Sequence, residues 1–358
     1  MSQPMNRCYR LRHRPSGAIT PDDVEFGEES IPSIGPGQAL VRTLWLSLDP
    51  ANRIWMSEID YNMPPVPIGG VMRGLGIGEV VASQRADMNV GDLVSGITGW
   101  ADYAVADATN LLPFTVLPTP LPAKAPTLLG ALGNTGITAY LGVHDICRPR
   151  AGETMVVTAA AGAVGSVAGQ LGKARGARVV GTAGSSEKCR HVVRAYGFDA
   201  CINYRATDWR DQLDTATPEG IDHIFENVGG QILDHLVTRL NVGARIALCG
   251  LIADYNSYGS AEPSQQTRID AAQLLISRAL VGSFLVLDHS DRFAEATSYL
   301  AELKNAGKLV HDETVIEGLD RARDALAQMF NGANTGKLVI KVAEPTRNAQ
   351  VVVAGECR

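Results

Sequence analysis

Residues 154–166 read TMVVTAAAGAVGS, an apolar run followed by a cluster of small residues. Residues 155–158 are typical of a buried strand, and those from Val167 onward follow a helical pattern. Gly162 and Gly165 would let a pyrophosphate approach the backbone, where the helix N-terminus offers free N–H groups and a positive dipole end. Ala160 replaces the first glycine of the usual dinucleotide-binding motif, which leaves an A-x-G-x-x-G variant. The stretch predicts a strand, a tight turn and a helix at a nucleotide site.

The next predicted strand, 178–182, indicates which nucleotide the site prefers. An NAD site carries an acid roughly 20 residues after the glycines to hold the ribose 2′-hydroxyl, but Gly184 and Ser185 stand there. Without that acid, a 2′-phosphate could be accepted by Ser185, by backbone N–H groups and by Lys188. Glu187 lies at a helix start, where it would complement the dipole. The alternative is that Lys188 is a solvated helix lysine; the missing acid favours NADPH.

Composition restricts the class of protein. The 358 residues are 45% hydrophobic and 20% charged with a net charge of −6, which indicates no nucleic-acid partner. No apolar run approaches the ~20 residues needed to cross a bilayer, and the N-terminus lacks an apolar signal core. The six cysteines show no C-x-x-C pairing, so we expect reduced thiols and a cytoplasmic protein.

The succession of predicted strands and helices changes twice along the chain. Residues up to about 125 contain short strands separated by Pro and Gly, which predicts a partly open barrel. Strands then alternate with helices, which predicts a doubly wound parallel sheet; they are expected at 154–160, 178–182, 200–203, 221–226, 244–249 and 280–286. A helix at 321–330 and a strand at 337–342 are too few for a domain of their own. The predicted fold class is therefore α/β, with a barrel domain of residues 1–125 and 308–358 and a nucleotide-binding domain of residues 126–307.

Six short motifs occur in a characteristic order. They are Leu46-Ser47-Leu48-Asp49-Pro50 with Arg53 and Met56, Gly136-Ile137-Thr138-Ala139-Tyr140, residues 159–166, Phe225-Glu226-Asn227-Val228-Gly229-Gly230, Cys249-Gly250 leading to Tyr255-Asn256, and Gly336-Lys337. With them the chain resembles the zinc-independent branch of the medium-chain dehydrogenase/reductase superfamily. That branch includes leukotriene B4 12-hydroxydehydrogenase/prostaglandin reductases, curcumin reductases and plant double-bond reductases.

The resemblance implies a Rossmann domain inserted into a GroES-like barrel, NADPH as cofactor and a small unsaturated carbonyl compound as substrate. It also implies a homodimer, for which strand 280–286 is the candidate edge. No metal is expected, because zinc-dependent relatives need a Cys and a His-Glu pair in the barrel, where this chain has only Cys8 and His13.

The resemblance also assigns cofactor contacts. Those to the pyrophosphate fall on Ala163, Val164, Gly165 and Ser166, and those to the 2′-phosphate on Lys188, Tyr204 and Asn334. Those to the ribose, nicotinamide and carboxamide fall on Asn227, Cys249, Gly250, Tyr255, Phe284, Leu285 and Val286. From the residues alone, Asn227 could equally be a turn asparagine, Tyr204 an aromatic packing on the sheet, and Asn334 a helix cap.

Tyr255 is the candidate catalytic residue. A phenol stays protonated at neutral pH and can donate to the oxygen of an enolate formed when hydride adds to the β-carbon of an enone. The alternative is an exposed loop tyrosine. Residues 254–268, rich in polar and small residues, predict a mobile lid. Ala51 stands where many relatives carry a tyrosine, which should widen the pocket.

Three functions compete. The first is NADPH-dependent reduction of the C=C bond of enones and enals. The second is a quinone oxidoreductase of the same superfamily, which usually lacks the motif at 249–256. The third is a non-catalytic NADPH-binding sensor or structural protein, against which the retained Tyr255 argues.

Overall fold

The N-terminal part of the chain consists mainly of short antiparallel strands. The computed structural model describes residues 5–60, 63–258 and 267–346. Its elements up to residue 116 are β1 Met5–Leu11, β2 Val24–Ser30, β3 Ala39–Ser47, α1 Ala51–Trp55, β4 Leu75–Ser83, β5 Leu93–Ile97, β6 Tyr103–Ala106 and β7 Thr115–Val116. β3, β4, β5 and β7 follow one another in one sheet, β6 also pairs with β3, and β1 and β2 form a separate hairpin.

Strands and helices alternate in the middle of the chain, as their sequence rhythm predicts. The first elements are α2 Ala125–Leu129, α3 Asn134–Leu141, a π-helix Gly142–Cys147, β8 Thr154–Val157, α4 Ala163–Ala174, β9 Arg178–Ala183, α5 Ser186–Tyr196 and β10 Ala200–Asn203. They are followed by α6 Trp209–Ala216, β11 Ile221–Glu226, α7 Gly230–Val237, β12 Leu240–Leu248, α8 Ile252–Tyr255, α9 Ala271–Ser277, β13 Leu280–Ser283, a 3₁₀ helix Val286–Arg292 and α10 Phe293–Asn305.

The six strands β8 to β13 form one parallel sheet. Their order is β10-β9-β8-β11-β12-β13, so the direction of winding reverses between β8 and β11. Buried apolar clusters lie around the sheet, one including Met155 and Val157 and the other Val156 and Ile224. In such sheets ligands bind beyond the carboxyl ends of the strands at this reversal point. A ligand is therefore expected near the turns that follow β8 and β11.

The last part of the chain returns to the N-terminal sheet. It contains β14 Glu313–Glu317, a 3₁₀ turn Leu319–Arg321, α11 Ala322–Phe330 and β15 Lys337–Lys341. β15 pairs antiparallel with β3, with Val339 opposite Ser47, and β14 runs parallel to β15. The predicted fold class is confirmed: a doubly wound parallel sheet accompanies a β-structure assembled from both ends of the chain. The domain limits 125/126 and 307/308 remain a prediction.

Several predicted limits were wrong, including the start of β12, which lies at Leu240 and not at residue 244. β8 ends at Val157, because Ala159 has a positive φ of 50° that breaks the strand. α4 begins at Ala163 and not at Val167, since residues 163–166 form its first turn. β13 ends at Ser283, ahead of the 3₁₀ helix.

Two of the predicted features lie partly outside the described residues. The lid at 254–268 includes residues 259–266, and the tail from 344 includes residues 347–358; both stretches lie outside the described residues. Among helices of the described ranges, none has the length and apolar character required of a membrane span.

Candidate active site

The turn between β8 and α4 has the backbone geometry of a phosphate-binding loop. Gly162 precedes α4 in an extended conformation, and no side chain caps the helix, whose first residues line the cavity described below. Gly165 has a second role besides the predicted one. A Cβ at Gly165 would lie 2.4 Å from the carbonyl oxygen of Ala159. Gly165 is thus required for close packing of α4 against the turn, while its contact with a pyrophosphate remains a prediction.

A cavity of about 340 Å³ brings together most of the predicted site. It extends from the β8–α4 turn to helix α1. The predicted residues that line it are Gly162, Ala163, Val164, Gly165, Gly184, Lys188, Tyr204, Asn227, Cys249, Gly250, Tyr255, Phe284, Leu285, Val286 and Asn334. One cavity thus holds residues from widely separated motifs.

Ser166 and Ser185 are not among the lining residues. Ser166 is buried in the first turn of α4 and its side chain lies beside Tyr196. Ser185 caps α5, where its Oγ accepts a hydrogen bond from the Lys188 N–H at 3.2 Å. Their assigned cofactor contacts remain predictions.

Lys188 lies half-buried at one end of the cavity. Its Nζ donates to the carbonyl oxygens of Gly332 at 2.7 Å and Asn334 at 2.5 Å. Burial, and then the charge of Arg205, lower the pKa of Lys188. Sequence reasoning missed Arg205, which lies 5.9 Å from the ring centre of Tyr204. Two neighbouring cations suit an anionic group such as the 2′-phosphate of NADPH.

The turns after β8 and β11 are linked by a buried carboxylate. Glu226 Oε1 accepts hydrogen bonds from Thr158 Oγ1 at 3.0 Å, Val228 N at 2.6 Å and Gly229 N at 2.7 Å. Burial raises the pKa of Glu226 to about 6. Asn227 lines the cavity and donates from Nδ2 to Thr158 O at 2.8 Å. Asn227 therefore has the turn-stabilising contact of the alternative interpretation and also faces the predicted ribose position.

Tyr255 lies on α8 and is only 7% exposed, so the alternative of an exposed loop tyrosine does not hold. Its hydroxyl accepts a hydrogen bond from Leu251 N at 3.2 Å. A Cβ added to Gly250 would lie 3.0 Å from this hydroxyl. An adjoining cavity shares Tyr255 and is lined further by Tyr258 and Asp288.

The end of the cavity near α1 is mostly apolar. Its lining includes Ala51, Ile54, Trp55, Met63, Leu75, Leu287, Met329 and Phe330. Ala51 contributes only a methyl group at this wall. A buried ion pair lies on the same side, where Lys337 Nζ donates to Leu48 O at 2.9 Å and Asp49 Oδ1 at 2.5 Å. Leu48, Asp49 and Lys337 belong to motifs of the sequence, but no role for them could be predicted from it.

The chain matches two family models. Residues 7–114 match one described as the N-terminal domain of oxidoreductase, and residues 163–302 match one described as zinc-binding dehydrogenase. Despite that description, the described residues contain no group of three or more His, Cys, Asp or Glu side chains placed to hold a metal.

Similar proteins extend over nearly the whole chain. An NADPH-dependent curcumin reductase of Escherichia coli (strain K12) is 39% identical, with 94% of this chain and 97% of that protein covered. A 2-alkenal reductase (NADP⁺-dependent) of Nicotiana tabacum is 37% identical over 86% of this chain and 88% of its own. The crystal structure of CurA in complex with NADPH from Vibrio vulnificus has a TM-score of 0.88 at 39% identity, covering 95% of this chain and all of that one. This chain therefore belongs to the zinc-independent branch of the medium-chain dehydrogenase/reductase superfamily.

Proposed function

We propose that this protein uses NADPH to reduce the C=C bond of α,β-unsaturated ketones and aldehydes. The observation that carries the proposal is the single cavity that joins the β8–α4 turn and Lys188 to Tyr255 and an apolar wall. The named activities of the relatives, NADPH-dependent curcumin and 2-alkenal reduction, support the same cofactor and reaction class.

The nucleotide end would hold the phosphates of NADPH. Backbone N–H groups of Ala163 and Val164 at the start of α4 suit the pyrophosphate. Lys188 and Tyr204 suit the 2′-phosphate, with Arg205 adding positive charge nearby. Asn227, Cys249 and Gly250, together with residues 284–286, would border the ribose and nicotinamide.

When bound, NADPH supplies the hydride that adds to the β-carbon of the substrate. The electrons of the C=C bond then form an enolate, whose oxygen needs a hydrogen-bond donor. Tyr255 is that donor, because its phenol is held in the cavity by the Leu251 N–H. The apolar wall formed by Ala51, Ile54 and Trp55 shields the reacting carbons from bulk water. A proton drawn from the solvent then adds to the α-carbon of the enolate, and the enolate C–O bond returns to a carbonyl.

The apolar wall also limits the substrate class. Enones and enals with apolar or aromatic substituents would bury them against Trp55 and Phe330. Ala51 leaves room for a bulky substituent. Free thiols at the five described cysteines are compatible with a reducing compartment, and we infer a cytoplasmic location.

The proposal is tested by steady-state oxidation of NADPH with an enone, an enal and a quinone. The enone and enal should be reduced at the C=C bond, identified by mass spectrometry and NMR of the product, and NADH should be a poor substitute. Turnover of the quinone alone would favour the quinone oxidoreductase. Tight NADPH binding with no turnover of any acceptor would favour a non-catalytic sensor.

We also infer a homodimer. β13 is the edge strand of the parallel sheet. β13, α9 and β12 carry large exposed apolar side chains, which an isolated subunit would leave in water; they are Val242, Leu275, Ile276, Leu280 and Val281.

A further inference from the structure

The Arg53 side chain connects two parts of the chain that contribute residues to the cavity. Arg53, on α1, is fully buried. Its Nη2 shares hydrogen bonds with the carbonyl oxygens of Pro15 at 2.8 Å and Gly17 at 3.1 Å in the N-terminal loop. The same nitrogen reaches Asn256 O at 3.3 Å and Tyr258 O at 3.2 Å. Arg53 thus connects the N-terminal part of the chain to the segment that follows α8.

The charge of Arg53 is held by carbonyl oxygens. Among the described residues no carboxylate forms an ion pair with it, and burial lowers its pKa to about 10, so it stays charged at neutral pH. A buried cation is costly unless it is hydrogen-bonded. The carbonyls of Asn256 and Tyr258 are therefore fixed with respect to α1.

Two buried side-chain atoms of the residues in this contact have no hydrogen-bond partner in the described structure. They are Arg53 Nη1, a donor, and Asn256 Oδ1, an acceptor. Buried polar atoms of this kind are rare and call for an explanation.

We propose that Arg53 is a positioning residue for Tyr255. It ties residues 256–258, which directly follow Tyr255, to the helix that presents Ala51, Ile54 and Trp55 to the substrate. The inference rests on the proposed function, in which Tyr255 donates to the enolate oxygen. That donation needs a phenol within about 3 Å of the oxygen, and a misplacement of about 1 Å can lower a rate roughly 100-fold.

The test compares Arg53→Lys with Arg14→Lys. Lysine keeps the charge at position 53, but its single nitrogen cannot reproduce the fork that serves both segments. Arg14 is a matched control, because its Nη1 donates to Met56 O at 3.0 Å and Ser57 O at 2.8 Å just beyond the same helix. We expect Arg53→Lys to lower kcat with an enone about 10- to 100-fold, and Arg14→Lys to stay near the wild type.

Two readouts separate positioning from general damage. The NADPH Kd, measured by fluorescence, should change by less than about 3-fold in Arg53→Lys. Hydrogen exchange of residues 252–258 should speed up in Arg53→Lys but not in Arg14→Lys. In a double-mutant cycle, Arg53→Lys should add little to the loss caused by Tyr255→Phe. The reason is that Tyr255→Phe already removes the hydroxyl that Arg53 positions.

The outcomes are distinguishable. If Tyr255→Phe lowers kcat while folded Arg53→Lys does not, or if the two losses multiply, the positioning role is overturned and the proposed function stands. If Tyr255→Phe alone leaves kcat unchanged, Tyr255 is not the donor to the enolate oxygen, and that part of the proposed function fails together with the positioning role of Arg53. Should circular dichroism show Arg53→Lys unfolded, Arg53→Gln, which removes the buried charge, is subjected to the same measurements.

Discussion

At the scale of single residues, we expect Lys188 to determine the choice of cofactor. Its ammonium has three donors, and the carbonyls of Gly332 and Asn334 occupy two of them. One donor therefore remains for a phosphate. Losing a charge-assisted contact costs about 1.5–3 kcal/mol, so Lys188→Ala should raise the NADPH KM roughly 10- to 100-fold and leave that of NADH nearly unchanged.

Initial rates with both nucleotides measure this effect. Lys173→Ala is a suitable control, because Lys173 pairs with Asp199 at 2.8 Å and does not line the cavity. Equal use of NADPH and NADH by the wild type would contradict the assignment of the 2′-phosphate site.

Tyr255 is expected to act on kcat. Removing one donor to a developing oxyanion typically lowers kcat by ~10²–10³. Tyr255→Phe keeps the ring and its packing, so NADPH affinity should hardly change while kcat with a saturating enone falls. The matched Tyr299→Phe variant, outside the cavity, should behave like the wild type. A loss of less than about 5-fold, roughly 1 kcal/mol, would remove Tyr255 from the mechanism.

Glu226 should make stability depend on pH. Its folded pKa, raised to about 6, lies above the ordinary value of 4.5, so the folded state holds the proton more tightly than the unfolded state. The associated stabilisation is full below the ordinary value of 4.5 and disappears as the pH rises through the folded pKa of about 6. A shift of this size corresponds to about 2 kcal/mol.

Urea denaturation at several pH values tests this linkage. Glu226→Gln keeps an oxygen acceptor for the three hydrogen bonds but cannot ionise, so its stability relative to wild type should improve between pH 5 and pH 7. The exposed Glu25→Gln is the control. A parallel pH dependence in wild type and Glu226→Gln would show that Glu226 does not titrate in this range.

Which residues could be predicted depends on the sequence distance between partners. Gly162, Asn227 and Tyr255 stand in short motifs, and their surroundings follow from neighbouring residues. Arg53 also stands in a motif, but its contacts could not be predicted, because its partner carbonyl at Asn256 is 203 residues away. Lys337 is still more remote from its partner Asp49, 288 residues earlier. Only the folded topology brings such pairs together.

At the scale of elements, the β8–α4 turn shows that one glycine of a motif can meet two requirements. Sequence alone suggested that Gly165 lets a pyrophosphate approach the backbone. The structure adds a packing requirement, because a Cβ at Gly165 would meet backbone atoms of Ala159. The strand and helix limits around the turn were also shifted by three or four residues, since Ala159 adopts a left-handed conformation that no sequence pattern announced.

Gly165→Ala should therefore destabilise the protein even without NADPH. Its Cβ would meet Ala159 O at 2.4 Å and force the turn or α4 to move, at a cost of about 1–3 kcal/mol. Gly162→Ala is the matched control, because its Cβ would lie 3.1 Å from the same oxygen. Urea unfolding of the nucleotide-free variants gives the comparison. Equal stabilities would mean that the close packing at Gly165 is unimportant.

At the scale of the whole molecule, the alternation of strands and helices was sufficient to predict the parallel sheet. The return of the chain to the N-terminal sheet was predicted only because the last helix and strand are too few to form a domain of their own. Its register, with Val339 opposite Ser47, results from pairing between strands nearly 300 residues apart. The cavity lies between these two structures, so its lining was predictable on the nucleotide side and largely unpredictable near α1.

The exposed edge at β13 leads to the prediction of a dimer. Leu280 and Val281 are 56% and 40% exposed on a strand whose outer backbone groups pair with no other strand of the described structure. Joining two such edges would satisfy those groups and bury the apolar side chains. Leu280→Lys would place a charge in the interface, where burial without a partner costs several kcal/mol. We expect light scattering to show a dimer for the wild type and a monomer for Leu280→Lys. Val90→Lys, which alters an equally exposed apolar residue of the N-terminal part, should remain dimeric; a monomeric wild type at micromolar concentration would contradict the interface.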